Sequence, residues 1–172
     1  MPRRRPIRED DVQPPYYRQP GWFTRHVFNG AVAGLTKLGV SLLGSRVLEV
    51  AGRKSGKPRR TPVNLLSLGV TSYLVAARGE AQWVRNVRAA DGRVDLLLGR
   101  KRGSYVATEL RDEDKVPVLR AYLKRWKFEV GTLFEGVGPG SSDEQIAAIA
   151  IKHPVFSLAE RQSPDEAGSR GN

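Results

Sequence analysis

The sequence contains no cysteine. That excludes disulfides, thiolate metal centres and cysteine nucleophiles together, and it suits a reducing compartment. Histidine is nearly absent too: His26 and His153 are the two present, too few for a zinc centre built on imidazole. Acid is scarce beside base, with 18 Asp and Glu against 29 Lys and Arg, for a formal net charge of +11. Such an excess draws polyanions through its field alone, without distinguishing nucleic acid, anionic lipid or a phosphorylated, carboxylated cofactor. Long apolar runs are missing. No apolar core follows the charges of MPRRRPIREDDVQPPYY, so no signal peptide is expected. The segment Val27–Leu43 carries Asn29 and Lys37, has a glycine-rich middle and is short of a membrane span.

What is there fits one domain of 172 residues with ordinary apolar content and a real core. Residues 1–20, rich in Pro and Arg, read as a mobile arm, and residues 160–172 as a polar tail. The domain between them, residues 21–159, opens with a helix over Trp22–Leu43, where Val27, Ala31, Leu35, Leu38 and Leu42 recur at helical spacing. Strands are expected at Arg46–Ala51, at Thr61–Leu68 and Thr71–Ala77 around Gly69, and at Arg93–Leu98 and Gly103–Leu110 around GRKR. A short helix is expected over Gln82–Ala90. The acids Asp112–Asp114 open a longer one along Val116, Leu119, Leu123, Trp126 and Val130. Ser141 and Glu144 have the spacing of a capping box, before a last helix over Asp143–Ile151. Regular βα alternation is absent, which disfavours parallel-sheet architectures. The fold class expected is α+β, mainly β: a small antiparallel barrel with helices packed outside.

The stretch AGRKSGKPRRTPVNL concentrates Arg53, Lys54, Lys57, Arg59 and Arg60 with no acid among them. It is not a P-loop, because only three residues separate Gly52 from Gly56 and Pro58 follows Lys57. It has the parts of an anion cradle: glycines that admit backbone amides, and cations for charge-assisted hydrogen bonds. From the loop alone a solvated hairpin turn, a nucleic-acid contact and a cofactor cradle all stay open. No nucleophile-plus-base arrangement is apparent, and His153 before Pro154 reads as a packing or capping residue. A redox cofactor would supply the reactive atom itself. In YLVAARGEAQWVRN, Trp83 and Asn86 stand three apart, on one helix face.

Together VLEVAGRKSGKPRRTPVNLL, YLVAARGEAQWVRNVRAA and the ending HPVFSL resemble the deazaflavin-dependent nitroreductase family, mostly actinobacterial flavin/deazaflavin oxidoreductases. The resemblance runs from Pro20 to Leu158. It implies a split antiparallel β-barrel with flanking helices, like the FMN-binding split barrels. It also implies an enzyme using coenzyme F-420, an 8-hydroxy-5-deazaflavin with an anionic phospholactyl-oligoglutamate tail. On the family's motif, Arg53, Lys54, Ser55 and Gly56 would cradle the phosphate, with Arg60 assisting. Thr61, Pro62 and Val63 would run along the ring. Ala76, Ala77 and Arg78 would face them, and Trp83, Asn86 and Val87 would close the pocket. The reaction implied is hydride transfer from the reduced deazaflavin to a small acceptor such as a quinone, enone or nitro compound. The rival cofactor is FMN, whose single phosphate needs fewer cations. A nucleic-acid face built from PRRRPIR, the loop and GRKR is disfavoured, because few aromatics interleave with the charges. Association with a membrane surface through the N-terminal helix is compatible with a quinone acceptor. The expected location is the cytoplasm, including the inner face of the cell membrane, and the expected state a monomer or homodimer.

Overall fold

The computed structural model describes Tyr16 and residues 45–161, with the side chains of residues 127–129 excepted. The rest of the expected arm, the helix expected over Trp22–Leu43 and the tail beyond Arg161 lie outside the described residues. Six antiparallel strands form a closed barrel: β1 (Ser45–Ala51), β2 (Pro58–Leu68), β3 (Thr71–Val75), β4 (Arg93–Leu98), β5 (Lys101–Glu109) and β6 (Val155–Glu160). Around the barrel their order is β1-β2-β3-β6-β5-β4. Helix α1 (Gln82–Ala89) joins β3 to β4, and α2 (Val116–Val130) and α3 (Asp143–Ala150) lie between β5 and β6.

Strand alternation sorts the apolar residues into two cores. Leu48, Val50, Leu74, Ala76, Val94, Leu96, Ala107, Phe156 and Leu158 fill the barrel, which Trp83, Val84 and Val87 of α1 help to pack. The outward residues Leu66, Val75 and Val155 meet a second layer built on Leu119, Leu123 and Trp126 of α2 and Ile146 and Ile149 of α3. The helical spacing expected for α2 is therefore its buried face. The helix is kinked at Trp126, whose φ of −120° and ψ of 24° leave the helical region. Its indole packs against Tyr122 with ring centroids 4.7 Å apart.

Four local details depart from the sequence reading. β6 was read only as an ending, yet it closes the barrel between β3 and β5. Asp112–Asp114 form a 3-10 turn ahead of α2, and the Lys115 ammonium, almost fully buried, spans Asp112 Oδ1 at 2.6 Å and the Ala150 carbonyl at 3.2 Å. The cap of α3 is Ser142, not Ser141: its Oγ receives the Gln145 N–H, and the Gln145 side chain receives the Ser142 N–H. β2 begins three residues earlier than expected, so Pro58, Arg59 and Arg60 belong to a strand.

Candidate functional site

The barrel is split where β2 leaves β3. The ladder between them runs from Leu68↔Thr71 to Leu65↔Leu74 and stops. Continuing that register would set Val63 against Ala76, Pro62 against Ala77 and Thr61 against Arg78. Instead β2 keeps β1 on one side, through Asn64 to Pro58, and among the described residues no strand pairs with its other side here. The opposite chain leans toward β6, with the Ala76 N–H donating to the Pro154 carbonyl at 2.8 Å. Pro62 is tolerated in the strand because it lies on this open edge. The two segments that the resemblance named as ring walls thus flank one gap in the ladder, the candidate cleft, although Ala76 is buried in the barrel core and Ala77 packs on the layer of α2 and α3.

The basic loop stands at the β2 end of the cleft and is closed by its own backbone. The Gly52 N–H donates to Lys57 O at 2.9 Å, and the Ser55 and Gly56 N–H groups donate to Gly52 O at 3.1 and 2.7 Å. Gly56 takes a φ of +65°, the left-handed region that costs glycine nothing. Ser55 Oγ receives the Lys57 N–H at 3.3 Å. Lys54, Lys57 and Arg59 are exposed, and among the described residues no ion pair joins them to an acid.

Asn86 ties this loop to α1. Its buried Oδ1 accepts the Arg53 backbone N–H and Arg53 Nη1, each at 3.2 Å, while Arg53 Nη1 also donates to Gln82 Oε1 at 2.7 Å. Arg88, farther along α1, clasps Glu109 of β5 through Nε and Nη2, both at 2.7 Å, and reaches Glu80 through Nη1 at 2.9 Å. These two carboxylates raise the Arg88 pKa above its already high value. α1 is thereby fixed against the barrel on one side and holds the loop on the other.

Not every predicted residue faces this cleft. Trp83 is buried against Phe156, ring centroids 5.7 Å apart, and Val87 has no exposed surface. Both pack the barrel from inside. Arg60 points to the outer face, where its Nε donates to Glu49 Oε2 at 2.6 Å. Glu49 also pairs with Arg102 at 2.8 Å, and Arg102 bridges on to Asp95. The Arg60 hydrogen bond and then Arg102 lower the Glu49 pKa despite its burial. Register sets this row, because Arg60 and Asp95 flank Glu49 on neighbouring strands. A separate cavity of about 230 Å³ opens where β1 and β4 part beyond Glu49↔Asp95. It is lined by Val50, Pro58, Val94 and Arg161 among others and shares only Gly56 with the predicted site.

Sequence reasoning missed two contributors. His153 is fully buried and stacked on Phe134, centroids 4.2 Å apart, as a packing residue should be. Its Nδ1 also stands 3.3 Å from the Ala76 carbonyl, which can only accept, so Nδ1 carries the proton. Desolvation pushes its pKa down to about 4, so the ring is neutral at pH 7. Tyr16 lies in the stretch read as an arm, yet its carbonyl accepts the Glu80 N–H at 2.7 Å beside the cleft. Gly79, at a φ of +77°, was the signal, since it marks a turn that something approaches closely. Among the described residues no cluster of His, Asp and Glu could hold a metal ion, and no helix is long and apolar enough to cross a membrane.

Comparison with known proteins fits this geometry. Among solved structures, an F420-H2 dependent reductase, FDR-A, is 21% identical over 67% of this chain and 94% of its own, with a TM-score of 0.47. A protein described as a domain-swapped dimer is 19% identical over 80% of this chain and 97% of its own, with a TM-score of 0.50. A protein of unknown function from Agrobacterium tumefaciens str. C58 is 16% identical over 87% of this chain and 60% of its own, with a TM-score of 0.52. The last two share the barrel fold. No curated protein matches the sequence. One family profile, described as F420H(2)-dependent quinone reductase, matches residues 22–128, a span that contains the basic loop, both lips of the cleft and the Asn86 tie. The chain therefore belongs to the F420H(2)-dependent quinone reductase family and is an oxidoreductase that depends on coenzyme F-420.

Proposed function

We propose that the chain carries hydride from reduced coenzyme F-420 to a quinone, with enones and nitro compounds as further acceptors. The observation behind this reading is the cleft between Thr61–Val63 and Ala76–Arg78, with a preformed basic loop at its end. The residues present fit the coenzyme. A flat ring needs an edge free of bulky side chains, and the small residues Ala76 and Ala77, packed into the two cores, leave the backbone of that lip as its edge. An anionic tail needs cations not already committed to acids, and Lys54 and Lys57 meet that need.

When bound, the coenzyme supplies the hydride from its reduced deazaflavin ring. The chain's own residues bind and orient. Lys54 and Lys57 attract the tail, and the loop presents them without reordering, because the Gly52–Lys57 bonds already hold the turn. Backbone groups on the open edge of β2 offer fixed dipoles to the ring and to charge developing on the acceptor. Asn86 serves by holding Arg53 and the loop in register with α1. Arg60, engaged with Glu49, contributes field more than direct contact.

The test is a fluorescence titration of the full chain with oxidised F-420 and, in parallel, FMN, at low and high salt. A soluble naphthoquinone is then added to the reduced complex. Saturable, coenzyme-selective binding and quinone-dependent reoxidation are expected. Lys54→Ala should weaken binding more than Arg60→Ala does. Equal affinity for FMN, or no saturable binding of F-420, would overturn the reading.

A further inference from the structure

We propose that Tyr16 is a positioning residue for the reaction: it clamps the Ala76–Glu80 turn, one lip of the candidate coenzyme cleft, in its working conformation. This rests on the assignment of that cleft to the coenzyme.

Contacts converge on Tyr16 from separate parts of the chain. Its carbonyl accepts the Glu80 N–H at 2.7 Å. Its ring meets His153 edge-on, centroids 5.7 Å apart at 76°, and Lys152 Nζ lies 5.4 Å from the ring centroid. The hydroxyl lies 3.5 Å from the Leu133 carbonyl, a long and therefore minor bond. Gly79 is shaped to this guest. A Cβ there would fall 2.2 Å from the Tyr16 carbonyl oxygen and 2.6 Å from its Cδ1. The left-handed φ alone would admit asparagine, but these distances admit no side chain.

The turn is gripped from the other side by the residues before β6. The Ala76 N–H bonds Pro154 O, and His153 Nδ1 faces Ala76 O. Inside the turn, the Gly79 N–H reaches Ala76 O at 2.8 Å and the Ala81 N–H reaches Gly79 O at 2.6 Å. Ala76 is thus fixed by His153 and Pro154, while Gly79 and Glu80 are fixed by Tyr16. Ala77, which also packs on the layer of α2 and α3, and Arg78 lie in the chain between the two grips. Loosening one grip releases them without touching the coenzyme, so the effect belongs in coenzyme binding and not in the chemical step.

Full-length Tyr16→Ala, Tyr16→Phe and Gly79→Ala are compared with wild type, with Lys54→Ala as a control on the loop. F-420 affinity, the KM and kcat of quinone reduction, and amide exchange at Glu80 are measured well below each variant's melting temperature. Tyr16→Ala should weaken F-420 binding on the order of tenfold, with most of the change in KM, and Glu80 exchange should accelerate. Tyr16→Phe should restore both. Gly79→Ala should likewise weaken F-420 binding and accelerate Glu80 exchange, because its Cβ would push away the Tyr16 carbonyl that Tyr16→Ala leaves in place. Lost thermal stability with unchanged F-420 affinity and KM would overturn the proposal. If Lys54→Ala weakens binding and Tyr16→Ala does not, this inference falls and the cleft assignment stands. If wild type binds no F-420, both fall. Should Tyr16→Ala not fold, Glu80 exchange and affinity in Gly79→Ala decide alone.

Discussion

His153 should make this fold acid-sensitive over a defined range. It has no exposed surface and, among the described residues, no partner for Nε2. Desolvation is the main cause that pushes its pKa down to about 4, opposed by the Ala76 carbonyl and Glu135 and reinforced by Lys152 and Lys115. Tyr16 and Phe134 are the rings against it. In the unfolded chain the imidazole titrates near its model value of 6.5. The unfolded state therefore binds more protons between these two values, and stability falls as pH drops through them. The contribution is intact above about pH 6.5. Linkage puts the loss at about 2 kcal/mol by pH 5 and about 3 kcal/mol by pH 4. Carboxylates titrate in the same range, so the assay must be differential. Urea unfolding of wild type and His153→Phe would be followed from pH 7.5 to 4. Phenylalanine keeps a ring against Phe134 and cannot titrate, at the fixed cost of the Ala76 contact. The stability difference should shift toward the variant by about 2 kcal/mol between pH 7 and pH 5. A difference that stays flat across that interval would refute the neutral, desolvated imidazole.

Gly92 and Gly69 both hold left-handed backbone, at φ of +75° and +58°, but only Gly92 is crowded, with an added Cβ lying 2.3 Å from Ala107 O. Gly69→Ala should cost about 1 kcal/mol from backbone strain alone, and Gly92→Ala well over about 2 kcal/mol; equal costs in urea unfolding would refute the steric account. Ser142→Ala should cost about 1 kcal/mol by removing the cap of α3, and a thermal melt indistinguishable from wild type would count against the capping box.

The barrel was legible where strands are neighbours in sequence. β2 and β3 announce themselves by a glycine turn between apolar runs, and β4 and β5 do the same. β6 was not legible as a strand, because its partners are distant: Phe156 pairs with Leu74 and Glu109. Nothing local says that a short apolar run after a helix will be captured by two strands already formed. The α3 cap was misplaced by one residue for a related reason. Ser141 and Ser142 both offer a hydroxyl, and backbone geometry chooses. The Ser141 hydroxyl receives the Gly138 N–H while Ser142 caps the helix.

The charges show best where sequence reading stops. Lys54 and Arg60 are one class of residue on paper, and the family's motif put both at the phosphate cradle, without Lys57. Strand register separates them. Once Pro58 pairs with Ala51, Arg60 must fall opposite Glu49, and the pair forms at 2.6 Å. Lys54 and Lys57 stay in the loop, where no strand neighbour supplies an acid. Asn86 was read as an amide that could touch a heterocycle, but what it grips is Arg53. The basic loop was legible from residue type and spacing, whereas the division of labour among its cations required knowing which strand edge was paired and which was open. Among the described residues, Thr61–Val63 have β1 on one side and no strand on the other. In the function proposed above, a flat, anionic ligand would lie along that edge with its charge on Lys54 and Lys57.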